Sequence, residues 1–441
     1  MKLLLIEPVN QLKIKNKLYQ ALENIIRKDY FTVPPLALGV IAGLTPSGWE
    51  IKIVQEPLDV VNYDEPADLV GISAVTHTVR RGYELAQEFR KRGKKVIMGG
   101  IHPSVLPDEA LQYCDSVCIG EAENVWMEVL EDFIKGKLKK KYKSEEPFDL
   151  KLYTYPRRDL IDYPRSFVFN IGSTIEASRG CPYNCDFCSV SFTHGKKIRY
   201  RPVNNIIPEI ESIKNRKLFF VDNNIIASFK YAKELFKAMI PLKKKWAAQA
   251  TISIVKDPEL LKLASDSGCY GLLIGIESVS DEGLKRYRKS LGNYEKLKEA
   301  IRVLNEHNID ILAHMIFGTD FDSAETMKES LDRLLDLDIA SAQLGIVVPY
   351  PGTILFEKLQ KDNRILTTDW NYYDIHHIVF KPLNFSIEMF LKDVEIIRNE
   401  FYSYSQIFKR AWRSKFLLSL GLNITSRSHS RAGYVLESIS P

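Results

Sequence analysis

Residues 180–188 read Gly180-Cys181-Pro182-Tyr183-Asn184-Cys185-Asp186-Phe187-Cys188 and carry three of the six cysteines of a 441-residue chain. The run before them, 173–177, has a strand pattern, so the thiols fall on the loop that leaves a strand. Working outward, strand-like runs recur at 218–221, 246–251, 270–276, 311–317 and 340–348. Stretches with helical spacing fill the intervals at 230–240, 259–267, 294–306 and 324–335. This repetition over 171–350 predicts an α/β segment, a partial (β/α)6 barrel of parallel strands. Its site should lie at the carboxyl ends of the strands, where the cysteine loop begins.

Toward the N-terminus a second alternation occupies 1–134. Short apolar runs at 3–6, 51–54, 69–73, 96–99 and 117–120 are separated by amphipathic stretches such as 80–90 and 124–134, the pattern of a Rossmann-like doubly wound sheet. Between the two units, 135–170 opens with a Lys-rich run diluted by Glu145 and Glu146 and reads as an interdomain linker with a solvated face. Beyond the barrel, 351–441 reads as a mostly helical, aromatic region with a helix near 387–402 and a flexible tail at 426–431.

Lys and Arg number 61 against 56 Asp and Glu, a net charge of +5, with 45% hydrophobic and 27% charged residues. That balance excludes a disordered polyelectrolyte and a strongly cationic nucleic-acid binder, and no nucleic-acid partner is expected. No run approaches the roughly eighteen apolar residues of a membrane span, and Glu7 and Pro8 interrupt the opening hydrophobics too early for a signal peptide. A cytoplasmic protein is expected, and in that reducing setting clustered cysteines indicate metal or redox chemistry.

Cys181, Cys185 and Cys188 can hold three corners of a 4Fe-4S cluster and leave one iron without a protein ligand. Structural zinc would want a fourth ligand and paired C-x-x-C knuckles, which this stretch lacks. Cys114 and Cys118 read as core thiols.

With Phe187 just before its last cysteine, the CxxxCxxC motif resembles that of the radical S-adenosylmethionine (SAM) enzymes, over about 170–350. The resemblance implies that the open iron chelates SAM and that one electron from the cluster, drawn from a donor such as ferredoxin or flavodoxin, yields a 5'-deoxyadenosyl radical. Further matching pieces are Phe220-Val-Asp-Asn-Asn224 and Gly271-Leu-Leu-Ile-Gly-Ile-Glu-Ser278. They imply SAM contacts by Asp222, Gln249, Glu277 and Ser278 beside Phe187, although a polar residue ending a strand also serves to cap the next helix. Neither a Gly-Gly-Glu after the second strand nor a GxIxGxxE at the fifth is present. Met315-Ile-Phe-Gly-Thr-Asp-Phe-Asp322 stands in the latter place.

The N-terminal sheet resembles the cobalamin-binding domain of cobalamin-dependent radical SAM methyltransferases, through Pro34-Pro35-Leu-Ala-Leu-Gly39, Val70-Gly-Ile-Ser73-Ala-Val-Thr76-His77, Met98-Gly99-Gly100-Ile-His102-Pro103 and Ile119-Gly120-Glu121-Ala-Glu123. Gly99 and Gly100 would let backbone approach a flat macrocycle, and Ser73 and Thr76 would donate hydrogen bonds. His77 and His102 stand near the corrin or cap their loops, and Gly120 and Glu121 end the fifth strand. No Asp-x-His-x-x-Gly is present, so base-off cobalamin without a histidine ligand is expected.

The implied activity is methylation of an unactivated carbon with two SAM molecules, on a peptide or protein side chain ahead of a lipid. The alternatives are ring formation, dehydrogenation or rearrangement, for example of an isoprenoid lipid, without methyl transfer, and a non-catalytic iron-sulfur or cobalamin-sensing protein. Trp370, Tyr372, Tyr373, His376 and His377 either close the barrel mouth or form a hydrophobic plug. Phe408, Trp412 and Phe416 share a helical face that either touches an anionic membrane surface or docks on the barrel.

Overall fold

The computed structural model describes residues 1–10, 33–56, 58–161, 172–286, 291–413 and 423. The first sheet contains β1 (Lys2–Glu7), β2 (Glu50–Gln55), β3 (Leu69–Ser73), β4 (Lys95–Gly99), β5 (Ser116–Ile119) and β6 (Lys141–Lys143), all parallel, in the order β2-β1-β3-β4-β5-β6. Leu3, Leu4, Leu5 and Ile6 are all buried, as a strand covered on both faces requires, which explains its unbroken apolar run.

β6 lies inside the segment expected to be a linker. Only Tyr142 of this strand is buried, its hydroxyl donating to Asp132, while Lys141 and Lys143 face water. An edge strand guarded by lysines avoids pairing with other chains, and the same lysines hide it from a hydrophobicity pattern. The chain then returns to the first sheet. Helix Leu36–Leu44 presents Gly39 and Gly43 to residues 155–161, and a Cβ on Gly43 would sit 2.5 Å from the Tyr155 carbonyl oxygen. Segment 162–171 lies outside the described residues.

The barrel begins with β7 (Ser173–Ile175), continues through an antiparallel pair, β8 (Ser178–Arg179) and β9 (Arg199–Tyr200), and then builds β10 (Lys217–Phe220), β11 (Lys245–Ala250), β12 (Cys269–Glu277), β13 (Asp310–Phe317) and β14 (Ser341–Ile346). Its six parallel strands run β14-β13-β12-β11-β10-β7, an open half-barrel rather than a closed one. Helices Phe229–Met239, Pro258–Asp266, Tyr294–Glu306 and Ala324–Asp336 return the chain, each started by a side-chain cap from Ser228, Asp257, Asn293 or Ser323.

Helix Ile387–Phe401 closes over the far edge, its Arg398 donating to the carbonyl of Leu344 in β14. Helix Tyr404–Arg413 docks through buried Ile407, Arg410 and Ala411 and leaves Phe408 63% and Trp412 88% exposed. Phe416 and the tail at 426–431 lie outside the described residues. Among the described residues no helix is long and apolar enough to cross a membrane.

Candidate active site

The cysteine loop hangs from the β8–β9 pair, with Arg179 opposite Arg199. Gly180 has φ +95° and its missing Cβ would lie 2.7 Å from the Lys197 carbonyl oxygen, so a side chain there would push the two arms of the loop apart. Cys181 N–H donates to the Gly195 carbonyl and Cys188 N–H to that of Cys185. The three cysteines are all half-buried, whereas Cys114, Cys118 and Cys269 are fully buried, with thiols pushed up by desolvation. Phe187 packs on the core edge.

Among the described residues no three His, Cys, Asp or Glu side chains already converge as a metal group. The donor set, three half-buried thiols on one loop with the other cysteines sealed in cores, fits a cluster held by three protein thiolates.

The four side chains expected to touch SAM separate into two groups. Asp222, just past β10, accepts from Ala177 N–H at 3.0 Å and from Ser178 hydroxyl at 2.6 Å, so both its oxygens fasten the corner between β7 and β8. Burial pushes its carboxyl up to about 7 against those two hydrogen bonds. Ser278 is likewise taken up locally, contacting the Ser280 hydroxyl and receiving the Ser280 N–H. Glu277 is different. It ends β12 at a register shift, buried, with φ +65°, a left-handed conformation uncommon for a non-glycine residue. Gln249 is half-buried on β11, and its carbonyl accepts from Ile225 N–H.

A cavity of about 1440 Å³ lies between the two units. One wall is the carboxyl end of the first sheet, with Glu7, Ser73, Gly99, Gly100, Gly120 and Glu121. The other wall comes from the barrel, with Glu176, Arg179 and His194 near its start, Val221 after β10 and Tyr350 after β14, and from the C-terminal loop with Asp374 and His376. Gly100 has φ +94°, and a Cβ on it would lie 2.6 Å from the Ala74 carbonyl oxygen. His77 also lines the cavity, where desolvation lowers its pKa against the pull of Asp374.

Two expected corrin contacts lie elsewhere. Thr76 is buried beneath the wall, and Thr78 occupies the lining position instead. His102 is fully buried behind the wall, 3.5 Å from Glu109 and edge-on to Trp370 at 5.0 Å. Trp370 Nε1 donates to the same Glu109, so this aromatic segment plugs the back of the first unit, and of its residues His376 reaches the cavity.

The sequence reading missed the charges that join the units. Arg199 donates to both oxygens of Glu121 at 2.7 and 2.8 Å and to the Phe148 carbonyl at 2.7 Å. Arg179 reaches Glu176, Glu123 and Glu121 at 2.9, 2.6 and 3.3 Å. Burial would raise the Glu121 carboxyl, but the Arg199 hydrogen bonds and the neighbouring Arg179 charge outweigh it and hold it below its ordinary value. His194 is lowered by desolvation and by the Arg179 charge, and its Nδ1 lies 3.4 Å from Asn223 Nδ2. The available signal was two arginines bracketing the cysteine loop in sequence.

Residues 175–334 match the model of the Radical SAM superfamily, and residues 24–130 match that of the B12 binding domain. Fold and site together therefore define a radical SAM enzyme that carries a B12 domain. Bacteriochlorophyllide d C-12(1)-methyltransferase of Chlorobaculum tepidum is 30% identical over 389 residues, 85% of this chain and 84% of that protein. Hopanoid C-2 methylase of Rhodopseudomonas palustris is 25% identical over 76% of this chain and 66% of that protein. The radical SAM methyltransferase TsrM of Kitasatospora setae, solved with cobalamin and a 4Fe-4S cluster bound, shares the fold with a TM-score of 0.63 at 17% identity, over 91% of this chain and 85% of that one. The chain belongs to the B12-binding radical SAM enzymes, in the cobalamin-dependent methyltransferase class, and is a radical SAM C-methyltransferase.

Proposed function

We propose that the chain transfers a methyl group to an unactivated carbon of a large polycyclic substrate, a tetrapyrrole or a hopanoid-like lipid. The observation that carries this reading is the shared cavity. Its glycine-lined wall faces, across about 1440 Å³, Arg179, Arg199 and the stretch Phe192 to Gly195 that follows the cysteines, while the three thiols themselves stand outside the lining, so the cavity supports a chamber that opens from the first sheet toward the cysteine loop. When bound, the cluster with SAM would supply hydrogen abstraction and the cobalamin would supply the methyl group.

The chain's own residues would do the rest. Cys181, Cys185 and Cys188 would ligate the cluster, with Glu277 and Gln249 toward SAM. Ser73, Gly99, Gly100 and Gly120 would seat the corrin, and His102, engaged behind the wall, favours a corrin without a histidine beneath it. Phe192, Val221 and Ile375 give the chamber apolar walls that would exclude water. The relatives named above carry tetrapyrrole and hopanoid substrates in their names, which moves the reading away from a peptide or protein side chain toward a polycycle.

The test is an anaerobic assay of the full chain with reconstituted cluster, cobalamin, SAM, a strong reductant and a bacteriochlorophyllide or hopanoid acceptor. S-adenosylhomocysteine and 5'-deoxyadenosine should form together, with the methyl appearing on the acceptor. Formation of 5'-deoxyadenosine alone, regardless of cobalamin, would replace methyl transfer by ring formation or dehydrogenation.

A further inference from the structure

The first sheet reverses its strand order between β1 and β3, and ligands of doubly wound sheets enter at such a reversal, beyond the carboxyl ends of the strands. Glu7 ends β1 at that point. Ile6 pairs with Ile72, which puts Glu7 one step further, level with Ser73, and Ser73 pairs with Gly99. Glu7, Ser73 and Gly99 thus form a row across three adjacent strands, and all three line the cavity.

The Glu7 carboxyl is unlike every other acid at this wall. Its Oε2 is buried without a hydrogen-bond partner among the described residues. Glu121 has two arginines, and Glu56, at the end of β2, is taken by Arg81 and by Val9 N–H. Asp374, across the cavity, accepts from His377 and from the His376 N–H. His77, beyond β3, and His376 are the other titratable groups brought to this part of the wall. With no charge among the described residues to oppose it, burial pushes the Glu7 carboxyl up to about 7. A buried polar group left unpaired in the protein is a group kept for a ligand or paying an unrecovered cost.

We propose that Glu7 anchors cobalamin as a protonated acid, its O–H donating to the carbonyl of a corrin side-chain amide while its other oxygen accepts from the amide N–H. An acid and a primary amide are complementary in this way, and the corrin rim carries several such amides. The inference rests on the reading of the first unit as the cobalamin site. The pH dependence follows from it. Below about pH 7 the donor is present, and above it the carboxylate keeps only the amide N–H and turns a charged oxygen toward the amide carbonyl, so cobalamin binding weakens as pH rises.

The experiment is equilibrium titration of the full chain with hydroxocobalamin, followed by visible absorbance, from about pH 6 to about pH 8.5. Wild type should weaken about threefold to tenfold across that range. Glu7→Gln, which keeps a neutral donor and acceptor, should bind like wild type at low pH and stay flat. Glu7→Ala should be about threefold to tenfold weaker at low pH and flat as well. His77 is common to all three proteins, so its titration cancels in the comparison. Superimposable pH profiles for wild type and Glu7→Gln, or full affinity in Glu7→Ala, would overturn the role of Glu7 and leave the cobalamin reading standing. A wild type that binds no cobalamin at any pH would overturn that reading and the inference with it.

Discussion

The two walls of the cavity are made by opposite means. The wall from the first sheet is shaped by backbone: Gly99, Gly100 and Gly120 end β4 and β5, and the missing Cβ of Gly100 leaves room only for the Ala74 backbone. The wall from the barrel is held by charge, with Arg179 and Arg199 buried among Glu121, Glu123 and Glu176. A wall of backbone presents a flat, neutral surface to a macrocycle and needs no partner. The loop that carries the three thiols is fixed at both ends by ion pairs to the unit it faces. The Glu121 pairing therefore ties the first wall to the cysteine loop, and the spacing of the two walls becomes a property of that network.

The sharpest way to separate the walls is to disable one chemically. Cys185→Ala/Cys188→Ala should abolish SAM cleavage, a loss of at least about a thousandfold, while hydroxocobalamin still binds the first wall. Cleavage products measured by chromatography beside a cobalamin titration test both halves. Residual cleavage in the double variant would show that these sulfurs are not the cluster ligands.

Breaking the tie between the walls should cost less and should appear first as stability. Arg199→Met leaves Glu121 with Arg179 and the Phe148 N–H, and removing one partner of a largely buried pair costs up to about 3–5 kcal/mol. Thermal unfolding should fall by up to roughly 3 to 5 °C for a chain of this length. Arg199→Met/Glu121→Gln should recover much of that loss, because the stranded charge is gone. Should the double variant instead be as unstable as the single one, packing of the Arg199 stem rather than its charge holds the loop.

How far these differences were legible in sequence follows the same division. Strands with two buried faces, such as Leu3 to Ile6, announce themselves by unbroken apolar runs, and the parallel sheet, the half-barrel and the cysteine loop were all readable that way. β6 was not, because an edge strand with one buried tyrosine between two lysines carries no hydrophobic period. Of the residues singled out in the first unit, those set by backbone at strand ends, Ser73, Gly99, Gly100 and Gly120, do line the cavity. Side-chain direction was not. His102 and Gly100 are two residues apart, yet the first turn of the short helix Ile101–Val105 sends His102 behind the wall toward Glu109 and Trp370. Long-range ion pairs such as Arg199 with Glu121, 78 residues apart, leave no pattern in the sequence beyond the two arginines that bracket the cysteine loop.

A subtler contrast concerns Asp222, which sequence placed at SAM and the structure places as a brace on Ala177 and Ser178. Its carboxyl is raised to about 7 by burial, so ionisation costs the folded state more than the unfolded one. The sign is then fixed: the contribution is fully present below the unfolded value near 4 and is lost as pH rises to about 7, at up to about 1.4 kcal/mol per pH unit. Asp222→Asn should remove that slope, and denaturant unfolding of both proteins at about pH 5 and about pH 7.5 measures it. Parallel curves would mean that the hydrogen bonds from Ala177 and Ser178 already carry the charge without penalty.

The smallest effect is expected at His77, and it bears directly on how the neutral wall works. This histidine lines the cavity, and desolvation lowers its pKa, so it is uncharged at neutral pH and chemically able to ligate a metal. If the first wall works by backbone shape and by neutral donors such as Ser73, the imidazole is only part of the lining. His77→Ala should then leave the visible spectrum of bound cobalamin unchanged and shift its affinity less than about threefold. A spectral change on substitution would instead place an imidazole on the cobalt. The first wall would then be a coordinating surface, and the division between a wall made of backbone and a wall made of charge would have to be redrawn around a metal bond.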